Sequence, residues 1–250
     1  MERICSAMSG DAEEYAQEKL RPFRLWIERW SIFQAVLDNN TQLVGKRVGD
    51  FGSGTGYYSR MLIDLGAASI LAIDSEPGMI QKAKEDSASY NPLITYDNAC
   101  LQDTKGEGEC SLVLGSYIMN FPKTPEETLL YCQSLVSHLE TGGVFIGFLN
   151  NPYERSGGEQ YKPYGFWKEY TADRDGDYDG CPVDVHIDGL SNPIRNYNIL
   201  PETYEWAFRE AGMDMEWREV EVHPSQKKSP YWNLLFDGIV PVNTVSATRI

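Results

Sequence analysis

Arg47-Val48-Gly49-Asp50-Phe51-Gly52-Ser53-Gly54-Thr55-Gly56-Tyr57-Tyr58 is the stretch on which the reading of this chain turns. Val48 to Phe51 is a short β-prone run that enters a turn with glycine at 52, 54 and 56. Beyond it, Tyr58, Met61, Leu62 and Leu65 recur at helical spacing. Strand, glycine turn and helix form the first unit of a nucleotide-binding α/β sheet. Glycine suits such a turn because it accepts φ > 0 and lets a ligand lie against bare backbone. The helix that follows would turn its free N–H groups and positive dipole end toward that ligand.

The glycine spacing is G-x-G-x-G, whereas a dinucleotide site uses G-x-G-x-x-G to seat a pyrophosphate on the helix N-terminus. Asp50, at the end of the strand, would repel a phosphate and attract an ammonium group. The next strand-like run, Ile70 to Ile73, ends at Asp74, where an acid can take both hydroxyls of a ribose. Ribose plus ammonium without pyrophosphate describes S-adenosylmethionine.

With Asp50 to Gly56 followed by Ile73-Asp74, the chain resembles a class I S-adenosylmethionine-dependent methyltransferase. Within that superfamily it is similar to small-molecule methyltransferases of the toxoflavin-synthase type. That likeness rests on Tyr117 to Phe121, Asn150-Asn151-Pro152, Tyr164-Gly165-Phe166, and Asn196-Tyr197 ahead of Thr203 to Ala207. The implied fold is a Rossmann-like, seven-stranded, mostly parallel sheet with an antiparallel last strand and helices on both faces. A small antiparallel β insertion follows strand 5. Residues 1–250 would make a single domain, with an N-terminal helical lid at 12–40 and a substrate-capping insertion at 150–200. The implied cofactor contacts are Tyr15, Arg24, Asp50, Gly52, Ser53, Gly54, Tyr58, Asp74, Ser75, Met79, Asn98, Ala99, Ser116 and Tyr117. Asn98 stands where the family usually has an acid for the adenine amino group. Its amide oxygen can still accept that bond, and Asp97 and Asp103 are rivals.

A chain of 250 residues suits one α/β domain, and 42 % apolar with 24 % charged residues fits a water-soluble globule. A net charge of −15 argues against a nucleic-acid partner or an anionic membrane, because both are held by lysine and arginine. The acid-rich first residues have no signal-peptide pattern, and no apolar run approaches membrane-spanning length. The five cysteines show no disulfide or zinc spacing, so a reducing, cytoplasmic setting is the simplest expectation. The partner expected is a small-molecule acceptor, with the protein a monomer or homodimer.

Ala12 to Leu37 is patterned as a helix broken near Pro22, serving either as a lid through Tyr15 and Arg24 or as plain packing through Trp26 and Trp30. Met79 either faces an adenine or fills the core. His138, in the last turn of a helix, reads as structural. Tyr164 to Tyr170, Val183 to Ile187 and Ile194 to Ile199 read as the strands of the insertion, separated by turn clusters. Aromatic side chains there suit an acceptor pocket. Asn120, Tyr153, Tyr164, Phe166, Arg195 and Tyr197 are the candidate acceptor contacts, with Tyr161 and Trp167 beside them. Asp175 to Gly180 fits the start of a calcium loop, but His186 occupies the place of the closing glutamate, so a solvated acidic turn is the better reading.

A sulfonium makes its methyl carbon electrophilic, so a methyl-transfer site needs mainly to align the acceptor, which can supply about 7–11 kcal/mol. A base is needed only for an acceptor that must first lose a proton. His186 is the candidate, with His223 and Asp184 behind it. The alternatives are a protein that binds the nucleotide without catalysis and a nicotinamide-dependent oxidoreductase. The glycine spacing and Asp50 speak against the latter.

Overall fold

The computed structural model describes residues 12–154, 158–170 and 178–250. The first three residues of the candidate calcium stretch, 175–177, therefore lie outside the described residues. α1 (Ala12–Glu18) is followed by one π-helical turn, Arg24–Glu28, that runs into α2 (Arg29–Asp38). β1 (Arg47–Phe51), α3 (Tyr57–Asp64), β2 (Ser69–Asp74), α4 (Pro77–Asp86), β3 (Ile94–Asn98) and β4 (Cys110–Ser116) alternate as the periodicity predicts. α5 (Pro125–His138) starts where the Thr124 side chain accepts the Glu127 N–H and Pro125 takes the first turn. It leads into β5 (Leu139–Asn150). The insertion contributes β6 (Phe166–Tyr170), β7 (Cys181–Ile187) and β8 (Ile194–Asn198). The chain then closes with α6 (Pro201–Glu210), β9 (Met213–Arg218) and β10 (Val242–Arg249).

The main sheet has the order β3-β2-β1-β4-β5-β10-β9, and β10 runs antiparallel to both its neighbours. The other pairings, β1–β2, β1–β4, β2–β3 and β4–β5, are parallel. β4 is buried along its length up to Ser116, and its unbroken apolar run reflects helices covering both faces. One core cluster gathers Ile27, Ile32, Val36, Leu62 and Phe148; another gathers Phe51, Leu135, Phe145, Tyr204 and Phe208. His138 bridges Glu109 and Thr104 and meets Phe51 edge-on, a structural role.

β6, β7 and β8 form a separate antiparallel sheet whose register pairs Trp167 with His186, Asp184 with Arg195, and Val185 with Ile194. Lys168 joins it to the main sheet: its Nζ, sealed from solvent, donates to the Pro241 carbonyl at 2.6 Å and lies 3.7 Å from Glu154. Burial drives the Lys168 amine down to about 8, against the opposing pull of Glu154.

Among the described residues no helix is long and apolar enough to cross a membrane. Cys110, Cys132 and Cys181 are free thiols, whereas Cys100 is in a disulfide. The spacing of the cysteines did not predict that bond, and it removes their support for a reducing setting.

Candidate active site

The carboxyl ends of β1, β2 and β4 open into one cleft of about 1100 Å³, its mouth included. That is the edge at which open parallel sheets bind ligands. Gly52 and Gly54 come from the first turn, Asp74, Ser75 and Glu76 from the end of β2, and Ser116 and Tyr117 from the end of β4. Tyr15 and Arg24 close it from the N-terminal helices, and the β6–β8 sheet faces it from the other side.

The glycine turn owes its shape to three left-handed residues, with φ +72° at Gly52, +54° at Gly54 and +72° at Gly56. A Cβ on Gly54 would stand 3.2 Å from the Tyr15 ring, inside the cleft, and one on Gly56 only 2.2 Å from the Tyr96 hydroxyl. Bare backbone is thus required at both. The Gly54 N–H donates to Asp74 Oδ2 at 2.7 Å and the Glu76 N–H to Oδ1 at 2.9 Å, which fixes the carboxylate at the cleft wall. Burial raises the Asp74 carboxyl above its ordinary value, and those two bonds oppose the rise. Each oxygen keeps a lone pair that can accept from a ribose. Ser116 lines the cleft, and its Oγ is buried without a hydrogen-bond partner.

Asp50 differs from the expectation. It is buried beneath the turn, accepts from Ser59 Oγ at 2.5 Å, and does not line the cleft. Burial pushes its carboxyl up to about 6, with the Asp74 charge adding to the rise and Ser59 and Lys19 opposing it. The two carboxylates therefore sense one another, but only Asp74 is presented. Ser53 is buried with its Oγ unpartnered and also lies off the cleft, as does Tyr58, whose hydroxyl donates to Glu28 at 2.6 Å. Asn98 turns its amide back to the Asp74 carbonyl at 2.9 Å; neither it nor Asp97 or Asp103 lines the cleft. Tyr15, Arg24, Gly52, Gly54, Asp74, Ser75, Met79, Ala99, Ser116 and Tyr117 do.

On the insertion side, strand phase decides which residues face in, because successive side chains alternate across a strand. Val185 and Ile187 of β7, and Ile194 and Asn196 of β8, line the cleft. His186, Arg195 and Tyr197 lie between or beside them in sequence and take the opposite face. His186 stacks on Trp167 at 4.7 Å and lies 3.3 Å from Glu169, while Arg195 pairs with Asp184. The Tyr197 ring carries Lys123 at 5.4 Å. His223 packs on Trp26 and Trp30, again away from the cleft. None of the three candidate bases therefore reaches it.

Of the other acceptor candidates only Phe166 lines the cleft. Asn120 is buried and holds the Asn150 N–H at 3.2 Å; Tyr164 donates to the Tyr231 carbonyl at 2.9 Å and stacks on Trp232. Tyr161 stacks behind Phe166, and Tyr153 is 52 % exposed. The lining residues that sequence reasoning passed over are chiefly Phe23, Ile118, Phe121, Tyr131, Asn150 and Asn196. Asn150 Nδ2 donates to Asn196 Oδ1 at 3.1 Å, so the two amides form one polar feature in an apolar wall. Two signals pointed to them: Asn150 ends β5, as Ser116 ends β4, and Asn196 is two residues from the apolar Ile194.

Residues 48–143 match the family described as "Methyltransferase domain". No curated protein gives a significant sequence match. Among solved structures, a S-adenosylmethionine-dependent methyltransferase from Clostridium acetobutylicum ATCC 824 is 16 % identical with a TM-score of 0.66, over 95 % of this chain and 98 % of that one. Magnesium protoporphyrin IX methyltransferase from Synechocystis PCC 6803, solved with bound S-adenosylhomocysteine, is 14 % identical with a TM-score of 0.61, over 95 % and 93 %. An amino pentose methyltransferase of calicheamicin biosynthesis from Micromonospora echinaspora, bound to S-adenosylmethionine, is 14 % identical with a TM-score of 0.61, over 95 % and 96 %.

Proposed function

We propose that the chain is a class I, S-adenosylmethionine-dependent methyltransferase, a reading supported by the match of residues 48–143 to a methyltransferase domain, and that it methylates a small, largely apolar or aromatic metabolite held beneath the β6–β8 sheet. The observation that carries this reading is the division of one cleft into two unlike halves. Backbone, carboxylate and hydroxyl groups line it from the ends of β1, β2 and β4, while Phe166, Val185, Ile187 and Ile194 line it from the β6–β8 sheet. Asp74 and Ser75 suit the ribose, Met79 and Ala99 the adenine, and Gly52, Gly54, Tyr15 and Arg24 the amino-acid end. The α1 and π-turn segment then acts as a lid. Bound S-adenosylmethionine supplies an electrophilic methyl on a sulfonium. The chain's own part is to exclude water, hold the acceptor in line and orient it through Asn150 and Asn196.

No general base is assigned. Burial holds the hydroxyls of Tyr117 and Tyr131 well above their ordinary range, so both stay protonated at neutral pH. An acceptor that is already anionic, or readily becomes so, fits best. The two neighbours named for small molecules, the magnesium protoporphyrin and amino pentose enzymes, support the same substrate class by analogy of fold.

The test is incubation with methyl-labelled S-adenosylmethionine and a panel of small aromatic and heterocyclic acceptors, followed by chromatography. Label should pass to at least one acceptor. Labelling confined to protein or nucleic acid would refute the small-molecule reading.

A further inference from the structure

Glu28 is 0 % exposed and has no face on the cleft, yet four donors converge on it. Oε1 accepts from Lys19 Nζ and from the Tyr58 hydroxyl, both at 2.6 Å. Oε2 accepts from Arg24 Nη1 and, at 3.0 Å, from the Tyr117 hydroxyl. Arg24 Nη1 also donates to the Tyr117 hydroxyl at 2.6 Å. About four acceptor sites are all a carboxylate has, so Glu28 is fully committed to its neighbours. Two irregular pieces of backbone serve this arrangement. Arg24 and Glu28 bound the π-helical turn, a feature that recurs at functional sites. Tyr117 is the one non-glycine residue with positive φ, +65°, among those described.

A buried ionic cluster of this kind adds little net stability compared with apolar packing. What it does supply is orientation. Arg24 and Tyr117 line the cleft, and the carboxylate behind them fixes both. A guanidinium held this way can meet a second carboxylate in the planar two-bond manner that lysine cannot reproduce.

We propose that Glu28 is a positioning residue for the anionic end of the cofactor, acting through Arg24 and Tyr117 to present the guanidinium to a ligand carboxylate. The proposal rests on the methyltransferase reading of the cleft. It assigns a role to a residue that never touches the ligand.

Calorimetry on the intact protein with two probes separates the possibilities. S-Adenosylhomocysteine carries the amino-acid carboxylate; 5′-methylthioadenosine keeps the adenosine and the thioether but lacks it. Glu28→Gln should weaken S-adenosylhomocysteine binding about 10- to 30-fold, as loss of a charge-assisted contact does. Binding of 5′-methylthioadenosine should change less than about 2-fold. Because the effect passes through Arg24, a Glu28→Gln/Arg24→Ala double variant should bind no worse than Arg24→Ala alone. Equal losses for both probes, no loss for either, or additive losses in the double variant would overturn the proposal. Should Glu28→Gln fail to fold, Tyr117→Phe removes one hydroxyl from the same carboxylate and must give the same split. If the intact protein binds neither probe, the cofactor reading itself is wrong. If it binds both, and the variant discriminates as stated, the proposal stands.

Discussion

The two walls of the cleft are built by different rules. Along the ends of β1, β2 and β4 the position of each group follows from strand termini and turn backbone, so that Gly52, Gly54, Asp74 and Ser116 converge wherever the strands stop. Along the β6–β8 sheet it follows from phase, and a shift of one residue exchanges Val185 for His186 or Asn196 for Tyr197. The first wall tolerates error in locating an element, whereas the second does not. The first is also the wall whose residues fall within the stretch that matches a methyltransferase domain, and under the proposed function the second is where the acceptor would be chosen.

The comparison breaks most sharply at Gly54. In Gly54→Val a branched side chain must adopt φ +54° and enter the cleft against the Tyr15 ring. Loss of S-adenosylhomocysteine affinity should exceed about 100-fold by calorimetry, since backbone strain and steric exclusion add. A loss below 10-fold would mean that the turn is not the cofactor wall.

Asp50→Asn sharpens the line between scaffold and cleft. The folded-state carboxyl at about 6 lies above its ordinary value of 3.8, so the folded protein holds a proton that the unfolded chain has released. Stability from this group is therefore present below about pH 4 and is lost as pH rises through 6. Two units correspond to about 3 kcal/mol. Chemical denaturation of Asp50→Asn should lack that fall and should exceed the parent in stability at pH 8. If affinity for S-adenosylhomocysteine instead dropped as far as in Asp74→Ala, Asp50 would belong to the cleft.

Val185→Trp, pointing inward, should cut turnover about 10- to 30-fold with cofactor affinity held within about 3-fold, because an overpacked wall displaces the acceptor. The smallest effects belong to the outward face. His186→Ala and Tyr197→Ala should each change turnover by less than about 2-fold, in contrast to the inward neighbours. A large loss in either would mean that the register of the small sheet is shifted by one.

The same contrast explains what the sequence made legible. The order and type of the main-sheet strands follow from apolar runs ended by Asp50, Asp74 and Ser116, and the antiparallel β10 follows from the family likeness. The insertion's three strands also lie close to their expected spans. Which of their faces meets the cleft is set by the phase of Val185, Ile187 and Ile194, and the aromatic and ionisable residue types, to which a sequence reading is drawn, do not reveal it. Asp50 was expected in the cleft because it ends a strand. Residues at strand ends point alternately too, and Asp50 is turned toward Ser59. Glu28 left no readable signal, since a glutamate in a helical stretch looks solvated until Lys19, Tyr58 and Tyr117 are seen around it.

One titration bears on the cofactor wall most directly: intact protein against S-adenosylhomocysteine by calorimetry, with NADH as the competing ligand. Saturable one-to-one binding of S-adenosylhomocysteine in the micromolar range, abolished by Gly54→Val and unaffected by NADH, is the expected result. Binding of NADH with no heat from S-adenosylhomocysteine would contradict it.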